Sequence, residues 1–376
     1  MEQWRGCNHG GPAPHETTMN HTIAEIAHAT GLTAVGDTSL RIARPAEPAS
    51  AGADDLALAM SPDYEAALRD SPARAAVLWD GADWRALGLA SALFAPRSRV
   101  ALAALGEMFA HPPDLAPGVH PSALVDPAAE IGEDAWIGPF AVIGTGARIG
   151  AGARIMAHVT IGREAVLGPR ALLHPGVRIG ARVRIGAGFI AQPNACIGAD
   201  GFSFVTPEPG AVESAKATGK VTDDALNLSL RRINSLGTIE IGDDVEVGAG
   251  STIDRGTVAD TSIGHGTKID NQVQIGHNVR IGQTCLICGQ VGIAGSAEIG
   301  DRVVLGGKAG VGDHLKIGSD AVIAGGSLVG TNVPPRSVMI GIPAIPRDSF
   351  NRQNIALRRL PRLTEQIREL RRKLGL

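Results

Sequence analysis

Aromatic residues are scarce in this sequence. Phe, Trp and Tyr together make up 3% of the 376 residues, with a single Tyr. An ordinary globular core in a chain of this length would hold more of them, because aromatic side chains fill much of such a core. Glycine is abundant instead, at 49 residues, which is nearly twice the usual share of about 7%. This pairing predicts a thin core made of small and aliphatic side chains.

Charge and cysteine are also limited. The formal net charge is only -3, so the sequence does not indicate a nucleic-acid-binding protein. Of the four cysteines, Cys7, Cys196, Cys285 and Cys288, the last two form a CxxC pair. No second CxxC or nearby His completes a zinc site. We therefore interpret them as buried strand cysteines in a reducing cytoplasm, and a metal or redox role is the alternative.

Long apolar runs are missing as well. No segment reaches the roughly 18 apolar residues that a membrane span needs, and residues 1–18 lack the apolar stretch of a signal peptide. We predict that residues 1–18 form a disordered tail, with Met19 as an alternative start to Met1.

What the sequence does contain is a period of six. Aliphatic residues recur at this spacing at twenty-nine positions with one Ala among them, and Gly follows most of them. The first run is Val119, Val125, Ile131, Ile137, Ile143, Ile149, Ile155, Ile161, Leu167, Leu173, Ile179, Ile185, Ala191 and Ile197. After an interruption come Ile241, Val247 and Ile253, and after a second come Ile263, Ile269, Ile275, Ile281, Ile287, Ile293, Ile299, Leu305, Val311, Ile317, Ile323 and Val329.

A period of six fits neither an α-helix nor a simple strand. It predicts a parallel β-helix of hexapeptide repeats, in which three repeats close one coil of 18 residues. We assign residues 118–333 to this domain, with roughly ten coils. The interruptions, 201–238 and 254–262, are predicted to be loops that leave the prism, and such loops often line binding sites.

The flanking segments lack the six-residue period. Residues 19–117 are predicted to form a small α/β domain, with a capping box at Thr22 opening a helix that ends near Gly31. ARAAVLWD (73–80) reads as a buried strand, and SRVALAALGEMF (98–109) as a strand followed by a helix. Residues 334–376 are predicted to be a linker and an amphipathic C-terminal helix. From residue 347 onward, nine Arg or Lys outnumber three Asp or Glu.

The ladder contains one polar cluster. Gly295 follows His277 by 18 residues, so it is predicted to lie one coil above it, roughly 5 Å away. His314 should lie two coils up near the same corner, and Asp270 should reach round a corner to the imidazole. Such an arrangement suits a general base with an orienting carboxylate and a backbone N–H for an oxyanion. The alternative is that His277 is an ordinary surface histidine.

An ordered set of motifs resembles one family. The motifs are IGADGFSF (197–204), IGDDVEVGAGSTIDRG (241–256), TKIDNQVQIGHNV (267–279), GIAGS (292–296), VLGGKAGVGDHLKIG (304–318) and GIPA (341–344). From about residue 19 to the C-terminus they are similar to UDP-3-O-(3-hydroxyacyl)glucosamine N-acyltransferases, the acyltransferases that make the diacylated glucosamine precursor of lipid A. The resemblance implies a mainly β fold, a left-handed parallel β-helix, assembled as a homotrimer.

The resemblance also implies site residues. His277 matches the general base, Asp270 its orienting carboxylate, Gly295 the oxyanion donor and His314 a second site histidine. Asn271 and Gln274 would touch the pantetheine arm. The implied donor substrate is the acyl-phosphopantetheine of acyl carrier protein and the acceptor is the UDP-acylglucosamine. No permanently bound cofactor and no metal are expected.

The N-terminal domain of this family binds uracil between a Phe and a Tyr. Here Tyr64 matches the Tyr, whereas Leu58 replaces the Phe and Ser61 replaces an Asn. One-sided stacking would weaken uridine binding by about 1 kcal/mol; the alternative is that another side chain fills the place of the Phe. Lys308 and Asp313 also depart from a usual Gln and Gly, and the 201–238 loop is longer than the family pattern.

Other functions remain open at this point. A hexapeptide O-acyltransferase on a UDP-sugar lacks a preceding α/β domain of this size. An acetyltransferase using acetyl-CoA would not need a basic C-terminal helix, whereas Arg352, Arg358, Arg359 and Arg362 suit an acidic carrier protein. A γ-carbonic anhydrase needs a third histidine where Ser319 stands. A purely structural β-helix would not need Asp270 and His277 together.

Overall fold

The computed structural model describes residues 20–110, 117–341 and 346–375. The predicted tail 1–18, Cys7 and part of the 334–349 linker lie outside the described residues. The chain divides into two compact units, with the boundary in the sequence between residues 114 and 115.

The first unit is built on a five-stranded sheet. In spatial order its strands are Thr33–Gly36, Ser91–Phe94, Ala75–Leu78, Asp55–Ala59 and Arg44–Ala46. The first of these pairs antiparallel with its neighbour and the remaining pairs are parallel. Its other elements are α1 (Ile23–Thr30), α2 (Glu65–Arg69), α3 (Ser98–Met108), the 3₁₀ turns Pro48–Ser50 and Pro62–Tyr64, and the short strands His21–Thr22 and Arg41–Ile42.

Alternation along the strands buries both faces of this sheet. Leu56 packs with α1 and α3 residues such as Ile23 and Leu105 on one face, whereas Ala57 packs with Leu68 of α2 on the other. This is the two-sided burial expected of a mostly parallel sheet.

Local predictions in this unit have mixed outcomes. The capping box is confirmed, because the Thr22 hydroxyl accepts from the Glu25 amide and the Glu25 carboxylate accepts from the Thr22 amide. Gly31 caps α1 at a left-handed φ of 69°, as glycine allows. The prediction of a strand at the start of 98–109 is wrong, because Ser98 already begins α3. The strand lies earlier, at Ser91–Phe94.

The second unit is a three-sided parallel β-helix. We name its faces sheets I, II and III in the order in which the chain visits them. Within the described residues, sheet I has 11 strands: Gly118–Val119, Trp136–Ile137, Arg154–Ile155, Leu172–Leu173, Ile190–Ala191, Glu246–Val247, Lys268–Ile269, Leu286–Ile287, Val304–Leu305, Val322–Ile323 and Val338–Met339. Sheet II has 10: Leu124–Val125, Val142–Ile143, Thr160–Ile161, Arg178–Ile179, Cys196–Ala199, Thr252–Asp254, Gln274–Ile275, Gly292–Ile293, Gly310–Val311 and Leu328–Val329. Sheet III has 9: Glu130–Ile131, Arg148–Ile149, Val166–Leu167, Arg184–Ile185, Ile239–Ile241, Thr261–Ile263, Arg280–Ile281, Glu298–Ile299 and Lys316–Ile317.

The aliphatic ladder forms the core of this unit. Residues at the six-residue spacing pair with one another in register, as Ile137 does with Ile155 and Ile275 with Ile293. From Ile137 to Val329 they are buried, and a single core cluster contains them. The predicted fold class, a parallel β-helix preceded by an α/β unit and followed by a helix, is confirmed.

Both interruptions leave the prism at the same corner. The first follows Cys196–Ala199 and the second follows Thr252–Asp254, both in sheet II, and both rejoin the prism in sheet III. We call this edge the II–III corner. The first insertion contains α4 (Ala211–Thr218) and the antiparallel strands Phe204–Val205 and Arg231–Arg232. Between Ile197 and Ala199 the register with the next coil shifts by a bulge.

The chain ends in α5 (Arg347–Lys373), a helix without a buried side chain among its described residues. Its apolar side chains Leu360, Leu363, Ile367 and Leu370 are about half exposed. No helix among residues 20–110, 117–341 and 346–375 is long and apolar enough to cross a membrane.

Candidate functional site

The II–III corner stacks the central site residues in a column. His277, Gly295 and Asp313 each occupy the second position after a sheet II strand, in three successive coils. The Ser296 amide donates to the His277 carbonyl at 2.9 Å, and the His314 amide donates to the Gly295 carbonyl at 3.1 Å. Gly295 therefore lies one coil above His277, where the 18-residue coil predicts it.

Glycines pack against the imidazole of His277. A Cβ built on Gly295 would lie 2.7 Å from Cε1 and 2.8 Å from Nε2 of the ring. A Cβ on Gly201, at the base of the first insertion, would lie 2.7 Å from the His277 Cβ and 3.1 Å from Cδ2. A larger side chain at either position would displace the ring, so both glycines are required by close approach rather than by backbone conformation.

The second insertion fixes the tautomer of this imidazole. Nδ1 of His277 lies 3.0 Å from Oδ1 of Asn278 and 3.4 Å from the Thr257 hydroxyl. Asn278 cannot turn its amide round, because its Nδ2 donates to the Ala259 carbonyl at 2.7 Å and its Oδ1 also accepts from the Thr257 amide at 3.0 Å. An acceptor facing Nδ1 assigns the proton to that nitrogen, which leaves Nε2 with its lone pair free.

The Gly295 amide is available beside this lone pair. None of the described residues accepts a backbone hydrogen bond from it, and the Cβ geometry puts the same residue next to Nε2. A base with a nearby free N–H is the arrangement needed to deprotonate a nucleophile and stabilise an oxyanion.

His314 lies in the neighbouring column of the same corner, above Asn278 and Ser296. All three have left-handed φ values, of 59°, 60° and 60° respectively. The first insertion reaches this level, because Lys216 of α4 forms a salt bridge of 3.2 Å with Asp313. This lysine is the main reason that the pKa of the Asp313 carboxyl is lowered.

The structure does not bring Asp270 to His277 within one chain, so that prediction is corrected. Asp270 follows a sheet I strand, at the I–II corner, and its Oδ1 accepts from the Asn271 amide at 2.7 Å. Asn271 in turn accepts from the Ala249 amide at 2.6 Å. Both line a surface cavity of about 610 Å³ together with Lys268, Leu286 and Cys288, among others.

The side-chain amide of Gln274 forms hydrogen bonds within its own chain. Its Nε2 donates to Asp254 at 3.1 Å, and its Oε1 accepts from the Thr252 hydroxyl. It therefore orders the side chains of the preceding coil at the II–III corner.

Comparison with known proteins identifies the family of this chain. The family model described as bacterial transferase hexapeptide (six repeats) matches residues 128–163, and the hexapeptide repeat of succinyl-transferase matches residues 158–190 and 297–331. A UDP-3-O-acylglucosamine N-acyltransferase from Ruegeria pomeroyi is 56% identical over 354 residues, which cover 94% of this chain and 98% of the relative. The chain belongs to the UDP-3-O-acylglucosamine N-acyltransferase family. The resemblance seen in the motifs, and with it the prediction of an acyltransferase, is confirmed.

Other relatives agree with this membership. A UDP-3-O-acylglucosamine N-acyltransferase from Paracoccus denitrificans is 57% identical over 274 residues, covering 73% of this chain and 75% of that one. Among solved structures, an Arabidopsis UDP-N-acetylglucosamine acyltransferase superposes with a TM-score of 0.51 at 24% identity, over 60% of this chain and 71% of that chain. The latter similarity shows a shared fold.

Sequence reasoning missed three residues at the II–III corner. Asn278 and Thr257 contact Nδ1 of His277. Asp254 lies in the coil below Gln274, which donates to its carboxylate, and it is only 8% exposed. The motifs IGHNV and STIDRG contain Asn278 and Asp254, and Thr257 directly follows the second motif. The six-residue period does not mark these residues, because their contacts depend on the path of the second insertion.

The other predicted residues belong to the first unit and to α5. In the first unit, Leu58 packs against the core cluster of Ile23, Tyr64 is 47% exposed, and the Ser61 hydroxyl caps its own turn by accepting from the Asp63 amide. The predicted carrier-binding residues all lie exposed on α5: Arg352, Arg358, Arg359 and Arg362. Among the described side chains, no group of three or more His, Cys, Asp and Glu is placed to hold a metal ion.

Proposed function

We propose that this protein is an N-acyltransferase of lipid A biosynthesis. It transfers a 3-hydroxyacyl chain from the phosphopantetheine of acyl carrier protein to the 2-amino group of UDP-3-O-(3-hydroxyacyl)glucosamine. The observation that carries the proposal is the His277 imidazole, with Nδ1 engaged by Asn278 and Nε2 free next to the Gly295 amide. The names of the relatives at 56% and 57% identity support it.

The proposed reaction needs one proton carrier. Nε2 of His277 accepts a proton from the sugar amine as its nitrogen attacks the thioester carbonyl and the C–N bond forms. The Gly295 N–H donates to the oxyanion of the tetrahedral intermediate. The C–S bond then breaks, and the imidazolium returns its proton to the departing thiolate. An amide and a free phosphopantetheine thiol are the products.

The decisive experiment compares His277→Ala with His174→Ala, a histidine that follows a sheet I strand at another corner. With acyl carrier protein donor and UDP-acylglucosamine, mass spectrometry should detect the diacylated product. His277→Ala should reduce kcat by at least about 100-fold, whereas His174→Ala should retain it. Mild alkali removes the existing 3-O-acyl ester, so one acyl chain retained on the sugar after this treatment identifies an amide, whereas the product of an O-acyltransferase would lose both chains. Near-normal turnover by His277→Ala would reject the mechanism.

We also propose that the site is completed in a homotrimer. Asp270 and Asn271 belong to the same family motif as His277, yet they line a cavity at a different corner of the prism. A neighbouring copy would bring this cavity to the II–III corner. If so, co-expression of His277→Ala with Asp270→Asn chains should restore activity that neither variant has alone. Mixed trimers no more active than the separate variants would show that each site lies within one chain.

Helix α5 supports the trimer and a carrier-protein contact. Ala356, Leu360, Leu363, Ile367, Leu370 and Leu374 follow a heptad pattern, and such a stripe packs well against copies of itself. The arginines beside it would attract an acidic carrier protein. Replacing Arg358, Arg359 and Arg362 by Glu should raise KM for the acyl carrier protein and weaken its salt dependence, with acyl-pantetheine turnover spared. Equal loss with both donors would instead indicate damage to the trimer.

For the nucleotide, we propose that the exposed Tyr64 ring stacks on uracil from one side. Leu58 packs against the core cluster of the first unit, and as an aliphatic side chain it offers no ring for the opposite side. Tyr64→Ala should raise KM for the UDP-sugar far more than it lowers kcat, because stacking contributes uniform binding. Calorimetry with UDP that shows no change would place the uracil elsewhere.

A further inference from the structure

Asp254 is a carboxylate in a position that the neighbouring coils give to glycine. It directly follows Ile253 of the core ladder, and the residues that follow the ladder in the two adjacent coils are Gly198 and Gly276. At Gly276 a side chain would be crowded, because a Cβ there would lie 2.9 Å from the amide nitrogen of Gly295 in the coil above. Four extra residues follow Asp254 before the ladder resumes at Ile263, so the chain beyond it takes another path from that of a regular coil.

The carboxylate is buried without a strong cationic partner. It is 8% exposed, and among the described residues its side-chain hydrogen bond comes from Nε2 of Gln274 at 3.1 Å. The adjacent Arg255 does not neutralise it, since that guanidinium donates twice to the Gly198 carbonyl and lies 3.7 Å from Asp200. A buried charge in this condition costs stability, so packing alone does not explain it.

The charge that acts favourably on Asp254 is that of His277. The pairing of Ile253 with Ile275 puts Asp254 beside Gly276, the residue before His277, at the spacing of adjacent strands, about 4.8 Å. Burial raises the pKa of the Asp254 carboxyl, while the Gln274 hydrogen bond and the positive form of His277 lower it.

Other ionisable groups near this carboxylate oppose its charge or point elsewhere. Asp200 raises the pKa of Asp254. Burial and the charge of Asp254 raise the pKa of the Cys196 thiol. The positive charge of Arg178 acts in the opposite direction and lowers the pKa of this thiol. The Arg178 guanidinium itself is held by the His158 and Gly176 carbonyls.

We infer that Asp254 is a positioning residue for the base: its carboxylate, held by Gln274, stabilises the imidazolium that His277 becomes while it carries the proton of the sugar amine. The inference rests on the proposed function, in which His277 takes and returns that proton.

The test is Asp254→Asn, which keeps the size and an acceptor for Gln274 but removes the charge. Because the stabilised charge exists only while the proton is on His277, kcat and kcat/KM should fall together, by about 10- to 100-fold. The acid limb of the kcat/KM profile should move to lower pH, since an imidazolium beside a neutral amide is less stable. A structural residue would not move that limb.

Thermal unfolding gives a second readout, in which Asp254→Asn should not lower stability although it lowers turnover. A raised carboxyl pKa means that the folded protein binds the proton more tightly than the unfolded chain, so stability is lost as the pH rises through that pKa. Asp254→Asn removes this loss, and its unfolding midpoint at neutral pH should equal or exceed that of the wild type.

Asp126→Asn is the matched control. Asp126 occupies the same corner position in the first coil, where its carboxylate accepts from the Thr145 hydroxyl and the Ala128 amide. This variant should keep both kcat and the acid limb. If the wild type is active and Asp254→Asn leaves the acid limb of the kcat/KM profile unchanged, the inference is wrong. If the wild type does not form the amide, the proposed function itself is wrong.

Discussion

The coils before residue 199 and those after residue 238 share one repeat and differ at the II–III corner. In the earlier coils the chain passes directly from sheet II to sheet III, and the second corner position holds unrelated residues: Thr145, Arg163 and Ala181. The two insertions then leave at this corner after Cys196–Ala199 and Thr252–Asp254, and in the three coils that follow them the same position holds His277, Gly295 and Asp313. The repeat supplies the coil spacing, but the chemistry arises where the repeat is broken.

Gly295→Ala tests this comparison with the largest expected effect. The added Cβ would lie within 2.8 Å of Nε2 of His277, so the imidazole must move. We expect kcat to fall by about 100-fold, measured as amide formation at saturating substrate. The fold should survive, because Ala181 holds a Cβ at the equivalent position of an uninterrupted coil.

The matched control for Gly295→Ala is Ala181→Gly, which should leave turnover unchanged. If Gly295→Ala were fully active, the close packing of this glycine against the ring would have no role in catalysis.

Asn278→Ala should have the next largest effect. It removes the acceptor that keeps the proton on Nδ1, so Nε2 is no longer held as the free base, and we expect kcat to fall by about 10- to 100-fold. Asn194→Ala is the control, since Asn194 has a similar left-handed φ of 61° at another corner. Both variants should lose similar stability in chemical denaturation, and only Asn278→Ala should lose turnover. Equal turnover by Asn278→Ala and Asn194→Ala would show that the Asn278 side chain stabilises the turn but has no role in catalysis.

Lys216→Ala should have the smallest effect of the three. The exposed Lys216–Asp313 salt bridge ties the first insertion to the coil of His314, and such pairs contribute at most about 1 kcal/mol. We expect a rise of about two- to five-fold in KM for the acyl donor, reproduced in wild type by high salt.

Two further variants sharpen this last prediction. Exchange of the charges in Lys216→Asp with Asp313→Lys should restore the wild-type KM. Lys316→Ala breaks an exposed pair with Glu298 in sheet III, at 3.0 Å, and should leave KM unchanged. A similar rise in KM for the acyl donor in Lys216→Ala and Lys316→Ala would show that the first insertion has no specific role in donor binding.

These contrasts explain what could be predicted from the sequence. The stacking of Gly295 over His277 follows from an 18-residue coil, because residues one coil apart share a corner. The expected pairing with Asp270 failed for the same geometric reason: seven residues along the chain amount to more than one side of a triangle. The contacts of Asn278 and Asp254 depend on the path of residues 254–262, which no period specifies.

The bulge between Ile197 and Ala199 has a consequence for how the prism comes apart. In a solenoid each coil contacts only its neighbours, so stability behaves as a chain of nearest-neighbour couplings. The shifted register and the insertion that follows it make the junction to the next coil the weakest coupling near the site. Amide hydrogen exchange should therefore show two blocks of protection that meet at this junction, with the earlier coils opening as a unit while those around His277 stay closed.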